Sequence, residues 1–168
     1  SVLSLMRRLQ LFALAALLLG CGNARAERVA RFQVNGHDSH KLAKPTLYVF
    51  LGTQCGTTQR YLARLGALEK EAGDKVAFVF LYPNGTDTAE QKRAHFQKQG
   101  YQGLFVDDQG AKIAKLLGAT RTSEVVLVDR KSNVVYRGAI DDNKDEAQVK
   151  RRHLAIAMGE LLTGKKIT

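Results

Sequence analysis

The sequence predicts an α/β protein, a three-layer α/β/α sandwich with a mixed central sheet, and three observations carry that prediction. Two short apolar runs, residues 46–51 and 76–82, are typical of strands that are buried on both faces. Helical patterns alternate with these strands, and a strand hairpin followed by a helix closes the chain. The 168 residues are 45% hydrophobic and 25% charged, which suits one packed domain and argues against disorder.

The first elements alternate between strand and helix. Residues 28–34 alternate apolar and polar side chains and meet an Asn-Gly pair at 35–36, which predicts a strand entering a tight turn. The buried strand at 46–51 is followed by apolar residues at helical spacing over 58–72, and Gly73 is placed to end that helix.

The middle and the end of the chain continue this order. The second buried strand ends at a Pro-Asn-Gly turn, and the spacing of Asp87 and Glu90 predicts a capping box that opens a helix reaching Gln99. The remaining predicted elements are a short strand at 104–106, a short helix at 111–117, a hairpin of strands at 125–128 and 134–137, and a helix at 145–162. Asp141 and Asp142 end the hairpin and are placed to cap that last helix.

Residues 1–26 have the composition of a secretory signal peptide. A basic segment at 6–8 precedes an apolar run at 9–19, and Ala24-Arg25-Ala26 forms a small-x-small cleavage site. The apolar run is shorter than the roughly 20 residues that a membrane-spanning helix needs. The segment ending at Cys21 also resembles a bacterial lipobox, which would make Cys21 a lipidated N-terminus. Both alternatives predict an exported protein of the periplasm or cell envelope whose domain is 27–168.

Charge and cysteine content narrow the possible functions. The chain has 26 Lys and Arg against 16 Asp and Glu, and its net charge is +10. Nucleic acid is not predicted as a partner, because a recognition motif is lacking and only 7% of the residues are aromatic. Two cysteines exclude a disulfide-rich framework and a four-cysteine zinc site. The histidines at 37 and 40 are interpreted as a solvated loop, so no metal or cofactor is predicted.

Cys55 is the main candidate for chemistry. It is the only cysteine of the predicted domain, and it lies where a buried strand ends and a helix begins. The backbone N–H groups of Gly56, Thr57 and Thr58 would point at its sulfur, and the positive end of the helix favours the nucleophilic thiolate. The Thr58 hydroxyl could donate to the sulfur from one helical turn away. An inert cysteine near a helix cap is the alternative.

The residues around Cys55 resemble a known family. Residues 48–61 (YVFLGTQCGTTQRY) are similar to the active-site segment of exported thioredoxin-like redoxins, within the broad thiol-specific antioxidant and alkyl hydroperoxide reductase superfamily. The resemblance continues through 76–84, 117–129 and 135–142, and therefore covers nearly all of the predicted domain. It implies a thioredoxin-like fold and thiol redox chemistry at Cys55.

The site departs from the pattern of this family in several positions. The family's Cys-x-x-Cys or Cys-Pro-x-x segment is here Cys-Gly-Thr-Thr, and its cis-proline, which follows a threonine and faces the cysteine, falls at Ser123 after Thr122. A cis bond before a residue other than proline costs about 2.5–4 kcal/mol, so we predict a trans, rearranged loop there. The threonine of peroxiredoxins is shifted by one position to Thr53. Their arginine has its nearest counterpart in Arg121, two positions before the matching slot.

Three functions follow from these residues and remain open. The first is a monothiol oxidoreductase, in which Cys55 forms a mixed disulfide with a thiol or disulfide substrate and an external reductant resolves it. The second is a one-cysteine peroxidase that passes through a sulfenic acid. The third is a binding module that has kept the fold and lost the chemistry. The expected site residues are Cys55 and Thr58, with Thr53, Gly56, Thr57, Arg121, Thr122 and Ser123 around them. The sequence leaves the oligomeric state open.

Overall fold

A computed structural model describes residues 26–168 and shows a mixed five-stranded sheet with helices on both faces. The strands are β1 (Gln33–Val34), β2 (His37–Asp38), β3 (Thr46–Phe50), β4 (Ala77–Tyr82), β5 (Leu104–Asp107), β6 (Glu124–Val128) and β7 (Val134–Ala139). The helices are α1 (Gly56–Ala72), α2 (Ala89–Gln99), α3 (Lys112–Leu116) and α4 (His153–Leu162). Short 3-10 turns occupy Gly73–Lys75, Gln109–Ala111 and Glu146–Gln148.

The sheet has the strand order β5-β4-β3-β6-β7. The strands β3, β4 and β5 are parallel, whereas β6 is antiparallel to both β3 and β7. Every residue of β3 is buried, as expected for a central strand that is covered on both faces. The predicted α/β sandwich with a mixed sheet is therefore confirmed.

Alternate side chains of β3 pack into two separate cores. Leu47 and Val49 belong to the core that lies under α1 and α4, where Leu65 and Leu154 are fully buried. Tyr48 and Phe50 belong to the core on the opposite face, which α3 and the N-terminal segment cover. This alternation fixes the register of β3 and thereby the position at which the strand leaves the sheet, just before Cys55.

The predicted strand at 28–34 is wrong over most of its length. Only Gln33–Val34 forms a strand, and it pairs with His37–Asp38 across the predicted turn, where Asn35 and Gly36 have φ of 49° and 79°. Upstream of this hairpin the segment packs Val29 and Phe32 into the core and makes only an isolated antiparallel bridge, between Arg28 and Asn133. The backbone N–H of Phe32 donates to the Ser39 hydroxyl at 2.9 Å, so this buried donor has a hydrogen-bond partner.

The last helix is shorter than predicted, because α4 begins at His153 and not at 145. The residues before it are held by other contacts: Arg64 donates to the carbonyls of Asn143 and Lys144, and Asp142 accepts from the Lys150 N–H at 3.0 Å. The predicted capping of α4 by the aspartate pair is consequently wrong. Asp145 instead caps the 3-10 turn by accepting from the Ala147 N–H.

The capping box of α2 lies one residue further along the chain than predicted. Thr88 and Gln91 form it, with reciprocal hydrogen bonds of 3.2 and 2.8 Å between side chains and backbone. Asp87, which the spacing pairs with Glu90, is buried and accepts from the Thr53 N–H instead. Asp87 therefore binds the loop before Cys55 and does not cap the helix.

The predicted signal peptide and Cys21 lie outside the described residues, apart from Ala26 at the cleavage site. Within 26–168, none of the helices is long and apolar enough to cross a membrane.

Candidate active site

Cys55 occupies the junction between β3 and α1. The strand ends at Phe50, a short loop follows, and Cys55 is the N-cap residue of the helix with extended backbone angles (φ −77°, ψ 115°). The helix begins directly after it, and although the sulfur makes no capping hydrogen bond, the backbone N–H groups of Thr57 and Thr58 act on the pKa of the thiol. The thiol is partly exposed, and it is the one free cysteine in the part of the chain that the structure describes.

The surroundings of Cys55 lower the pKa of its thiol from 9.0 to about 7. The largest cause is the hydroxyl of Thr122, whose Oγ1 lies 3.1 Å from Sγ and can donate to the thiolate. Partial burial opposes this effect, whereas the backbone and hydroxyl of Thr58 and the backbone of Thr57 add to it. The thiolate is therefore much more abundant at neutral pH than in an unperturbed cysteine.

Thr58 is fully buried and connects three segments at the site. Its hydroxyl accepts from the Gly52 N–H at 3.4 Å and lies 3.3 Å from the Ser123 hydroxyl. The sequence suggests Thr58 as the main side-chain donor to the sulfur, but its contribution to the lowered pKa is smaller than that of Thr122. Gly52 is packed closely here, because a Cβ at this position would lie 3.4 Å from both Cys55 Cβ and Thr122 Cγ2.

The loop that faces Cys55 has the trans arrangement that the sequence predicts. None of the peptide bonds in the described residues is cis, and Ser123 adopts a left-handed conformation with φ of 64°. Its N–H donates to the carbonyl of Phe50 at 2.7 Å, which extends the pairing of β3 with β6. Glu124 holds the preceding residues, since its carboxylate accepts from the N–H groups of Thr120 and Arg121 at 2.8 and 3.4 Å. Together these contacts present Thr122 to the sulfur.

The remaining predicted site residues do not contact the sulfur through their side chains. Thr53 is held by its backbone, which donates to Asp87 and accepts from Gln59. Gly56 is exposed, and a Cβ there would meet open space. Arg121 is exposed, and it is not among the groups that lower the pKa of Cys55.

The sequence model of the Redoxin family matches residues 33–152, the segment that contains both the central sheet and Cys55. This chain belongs to the redoxin family. An uncharacterised protein from Geobacillus kaustophilus resembles the structure with a TM-score of 0.73 and 21% identity, over 85% of this chain and 84% of that one. A hypothetical protein from Sinorhizobium meliloti gives a TM-score of 0.72 and 24% identity, over 85% and 86% of the two chains.

A third similar structure is a secreted disulfide oxidoreductase from Mycobacterium tuberculosis, with a TM-score of 0.51 and 12% identity over 65% of this redoxin and 78% of that chain. None of the curated proteins matches the sequence. The likenesses establish a thioredoxin-like fold for the redoxin.

The redoxin supports its cysteine loop with residues that the sequence alone does not single out. Gln59 Nε2 donates to the Thr53 carbonyl at 3.0 Å and lies 3.3 Å from His95 Nε2, whose other ring nitrogen is 2.8 Å from the Tyr82 hydroxyl. Burial lowers the pKa of His95, and the charge of Lys98 adds to this effect. A neutral His95 can accept from Gln59, so this chain of contacts fixes the loop before Cys55. The sequence does not predict that His95 supports the site, because His95 lies on a polar helix.

Two grooves border the site and meet at the same loop. One, of about 220 Å³, is lined by Thr57, Tyr61 and Ser123 among others, and the second, of about 310 Å³, by Phe50 and Pro83 among others. Arg121 and Thr122 line both grooves. A larger cavity of about 770 Å³ lies at the opposite end of the parallel strands, around the start of β4, and is remote from the sulfur.

The histidines at 37 and 40 have structural contacts, which corrects their interpretation as a solvated loop. His37 Nε2 lies 2.8 Å from the Tyr48 hydroxyl, and His40 Nε2 lies 2.8 Å from the Val29 carbonyl. Both side chains are partly buried. Across residues 26–168, three or more His, Cys, Asp or Glu side chains are nowhere grouped so that they could hold a metal ion.

Proposed function

We propose that this redoxin carries out thiol–disulfide exchange with Cys55 as its single reactive sulfur. The observation that carries the proposal is a partly exposed thiol whose pKa is lowered to about 7 by the Thr122 hydroxyl and the first turn of α1. A thiolate of this acidity is both abundant at neutral pH and still a strong nucleophile.

The reaction needs no second cysteine in the domain. The Cys55 thiolate attacks one sulfur of a substrate disulfide, a new bond forms between Cys55 and that sulfur, and the other sulfur leaves as a thiolate. The thiolate of an external thiol then attacks the substrate sulfur of the mixed disulfide, so that Cys55 leaves as a thiolate and the external thiol is joined to that half of the substrate. A second external thiolate attacks this disulfide and expels the remaining substrate sulfur as a thiolate. In total the substrate disulfide is reduced to two thiols, two external thiols are oxidised to a disulfide, and the protein is unchanged.

Export to the cell envelope is part of this proposal. The signal-peptide pattern at 1–26 supports it, and one structural relative is described as a secreted disulfide oxidoreductase. Cleavage after Ala26 would release the domain, whereas lipidation at Cys21 would tether it to a membrane. The intact mass of the protein isolated from cells separates the two, because a diacylglyceryl group is added only in the second case.

The proposal is tested by measuring the rate of alkylation of Cys55 from pH 5 to pH 10. We expect a single titration with a midpoint near 7, and mixed-disulfide formation that follows the same curve. A Cys55→Ser variant serves as the blank for both measurements. A midpoint at or above about 8.5, the value of an unperturbed cysteine, would refute the exchange reaction.

The same acidic thiol also suits a one-cysteine peroxidase, which is the second candidate. The contacts argue against it, because neither the Thr53 side chain nor Arg121 is among the groups hydrogen-bonded to the sulfur or shifting its pKa. Stopped-flow measurement of peroxide consumption decides between exchange and peroxidase activity: we expect a rate no greater than that of free cysteine, with the sulfenic acid absent from the mass spectrum.

The third candidate is a binding module without chemistry. If that is the function, the Cys55→Ser variant would retain full biological activity in cells.

A further inference from the structure

We infer that Arg121 makes this site selective for disulfides of small anionic thiols, of the kind that carry free carboxylates, as glutathione does. The inference rests on the proposed exchange reaction and adds the substrate class to it. Its starting point is placement: Arg121 directly precedes Thr122, whose hydroxyl is 3.1 Å from the sulfur.

Arg121 has an uncommitted side chain, unlike the three arginines that are paired most closely with carboxylates. Arg31, Arg64 and Arg137 form ion pairs at 2.6–2.7 Å with Asp38, Asp141 and Glu27, respectively. Arg121 takes part in none of the ion pairs or side-chain hydrogen bonds found within 26–168, and it is exposed. Its guanidinium is therefore available to an external anion.

The acidic residue nearest in sequence, Glu124, does not form an ion pair with this arginine. Glu124 uses one carboxylate oxygen to accept from the backbone N–H groups of Thr120 and Arg121, and from the Thr120 hydroxyl at 3.4 Å. These bonds tie the loop to Glu124 and keep the carboxylate on the backbone. The backbone of Arg121 is thus held beside Thr122, whose hydroxyl meets the sulfur, while the guanidinium forms no ion pair with any residue that the structure describes.

The grooves on either side of the loop determine what Arg121 can reach. It lines both of them, so a carboxylate that enters either groove beside a disulfide bound at Cys55 meets the same guanidinium. The smaller groove is also lined by the exposed Thr57, whose hydroxyl can hydrogen-bond to a carboxylate or an amide, whereas Tyr61 and Ser123 in the same groove are largely buried. Guanidinium and carboxylate bind through two parallel hydrogen bonds, which orients the ligand as well as attracting it.

The selected step is the first half of the exchange. The Cys55 thiolate attacks the sulfur of the anionic half, forms a bond to it and expels the partner sulfur as a thiolate, with Arg121 holding the carboxylate of the retained half. In the second half, the thiolate of another anionic thiol attacks that retained sulfur, the bond to Cys55 breaks, Cys55 leaves as a thiolate, and the two anionic thiols depart as a disulfide. Arg121 touches the substrate in both halves and leaves the acidity of Cys55 unchanged.

The experiment measures how the processed protein isolated from cells, in which Cys21 is removed or lipidated, reacts with three small disulfides: oxidised glutathione as the anionic probe, hydroxyethyl disulfide as the neutral probe and cystamine as the cationic probe. The second-order rate constant for mixed-disulfide formation at Cys55 is read by intact mass at low and high salt. Arg121→Glu is compared with Arg130→Glu, an exposed position after the far end of β6 that changes the net charge by the same amount. The Arg121→Lys variant keeps the positive charge and tests whether the paired N–H donors of the guanidinium are needed.

We expect Arg121→Glu to slow oxidised glutathione about five- to tenfold, to accelerate cystamine, and to leave hydroxyethyl disulfide within about twofold. About 0.5 M salt should reduce the difference in rate between the wild type and Arg121→Glu, because salt screens an exposed charge. Arg121→Lys should keep only part of the selectivity, and Arg130→Glu should change all three rates by less than about twofold.

Two results would overturn the inference while leaving the exchange reaction in place. If Arg121→Glu and Arg130→Glu slow oxidised glutathione equally, the attraction belongs to the net charge and not to the site. If Arg121→Glu slows the neutral probe as much as the anionic one, the arginine acts on the sulfur and not on the substrate. Failure of all three probes to react faster with the wild-type protein than with free cysteine would instead overturn the exchange reaction itself, and the inference with it.

Discussion

The acidity of Cys55 depends most on a side chain that is distant in sequence. Thr122 lies 67 residues away from the cysteine and supplies the hydroxyl nearest to the sulfur. The helix start alone provides only backbone N–H groups and the weaker contribution of the Thr58 hydroxyl. A hydrogen bond to a charged group contributes about 1.5–3 kcal/mol, which is enough to move a pKa by one pH unit or more.

Replacement of Thr122 by valine should therefore raise the pKa of Cys55 by about one pH unit, because the isosteric side chain keeps the packing and removes the donor. The pH dependence of thiol alkylation measures this change. Thr57→Val is the matched control: Thr57 acts on the sulfur through its backbone, so its variant should titrate like the wild type. Equal midpoints for the two variants would show that the hydroxyl of Thr122 does not donate to the thiolate.

Sequence reasoning reached part of this site for an identifiable reason. The strand-to-helix position of Cys55 is a local property, and local patterns place it correctly. Thr122 and Ser123 enter the site only through the resemblance to a family, because the loop that carries them is brought to the cysteine by the pairing of β3 with β6. The sequence does not indicate that Asp87 and Gln59 belong to the site. Both bind the backbone of the loop before Cys55, and the path of that loop cannot be predicted from the sequence pattern.

At the scale of elements, α1 is fastened to the end of the sheet by a buried ion pair. Arg64 of α1 and Asp141, just after β7, lie 2.7 Å apart and are both about 95% buried. Arg64 also stacks on the Tyr61 ring at 4.2 Å and donates to the carbonyls of Asn143 and Lys144. An arginine within an apolar helical stripe is unexpected from periodicity, and its bonds to the following loop explain why the last helix starts later than the pattern predicts.

Loss of the Asp141 charge should be costly because it leaves a buried guanidinium without its counter-ion. We expect Asp141→Asn to lower the free energy of unfolding by about 3 kcal/mol, as is typical when one partner of a buried pair is removed. Urea denaturation gives the value. Asp142→Asn changes the neighbouring, exposed carboxylate and should cost less than about 1 kcal/mol. Similar losses for both variants would mean that the pair does not fasten α1.

Over the whole molecule, two partly buried histidines and Cys55 act on stability in the same direction between pH 5 and pH 9, whereas the tyrosines, whose pKa burial raises, oppose them only above this range. Burial lowers the pKa of His37 and of His95, so folding opposes their protonation. The fold is consequently destabilised as the pH falls below the ordinary histidine value of about 6.5. The pKa of Cys55 is also lowered, which means that the folded state favours the thiolate and gains stability as the pH rises from about 7 to 9.

These signs predict that the melting temperature rises continuously from pH 5 to pH 9. The rise in melting temperature above pH 7 comes from the ionisation of Cys55. Cys55→Ser, which keeps the size of the side chain and removes its titration, should flatten that part and leave the part below pH 7 unchanged. Because the thiol is partly exposed, its stabilisation is screened to about 1 kcal/mol, which corresponds to about 4 °C in melting temperature. Scanning calorimetry of both proteins across this range makes the comparison. An equal rise above pH 7 in the serine variant would show that Cys55 does not ionise preferentially in the folded protein, and the exchange reaction would lose its physical basis.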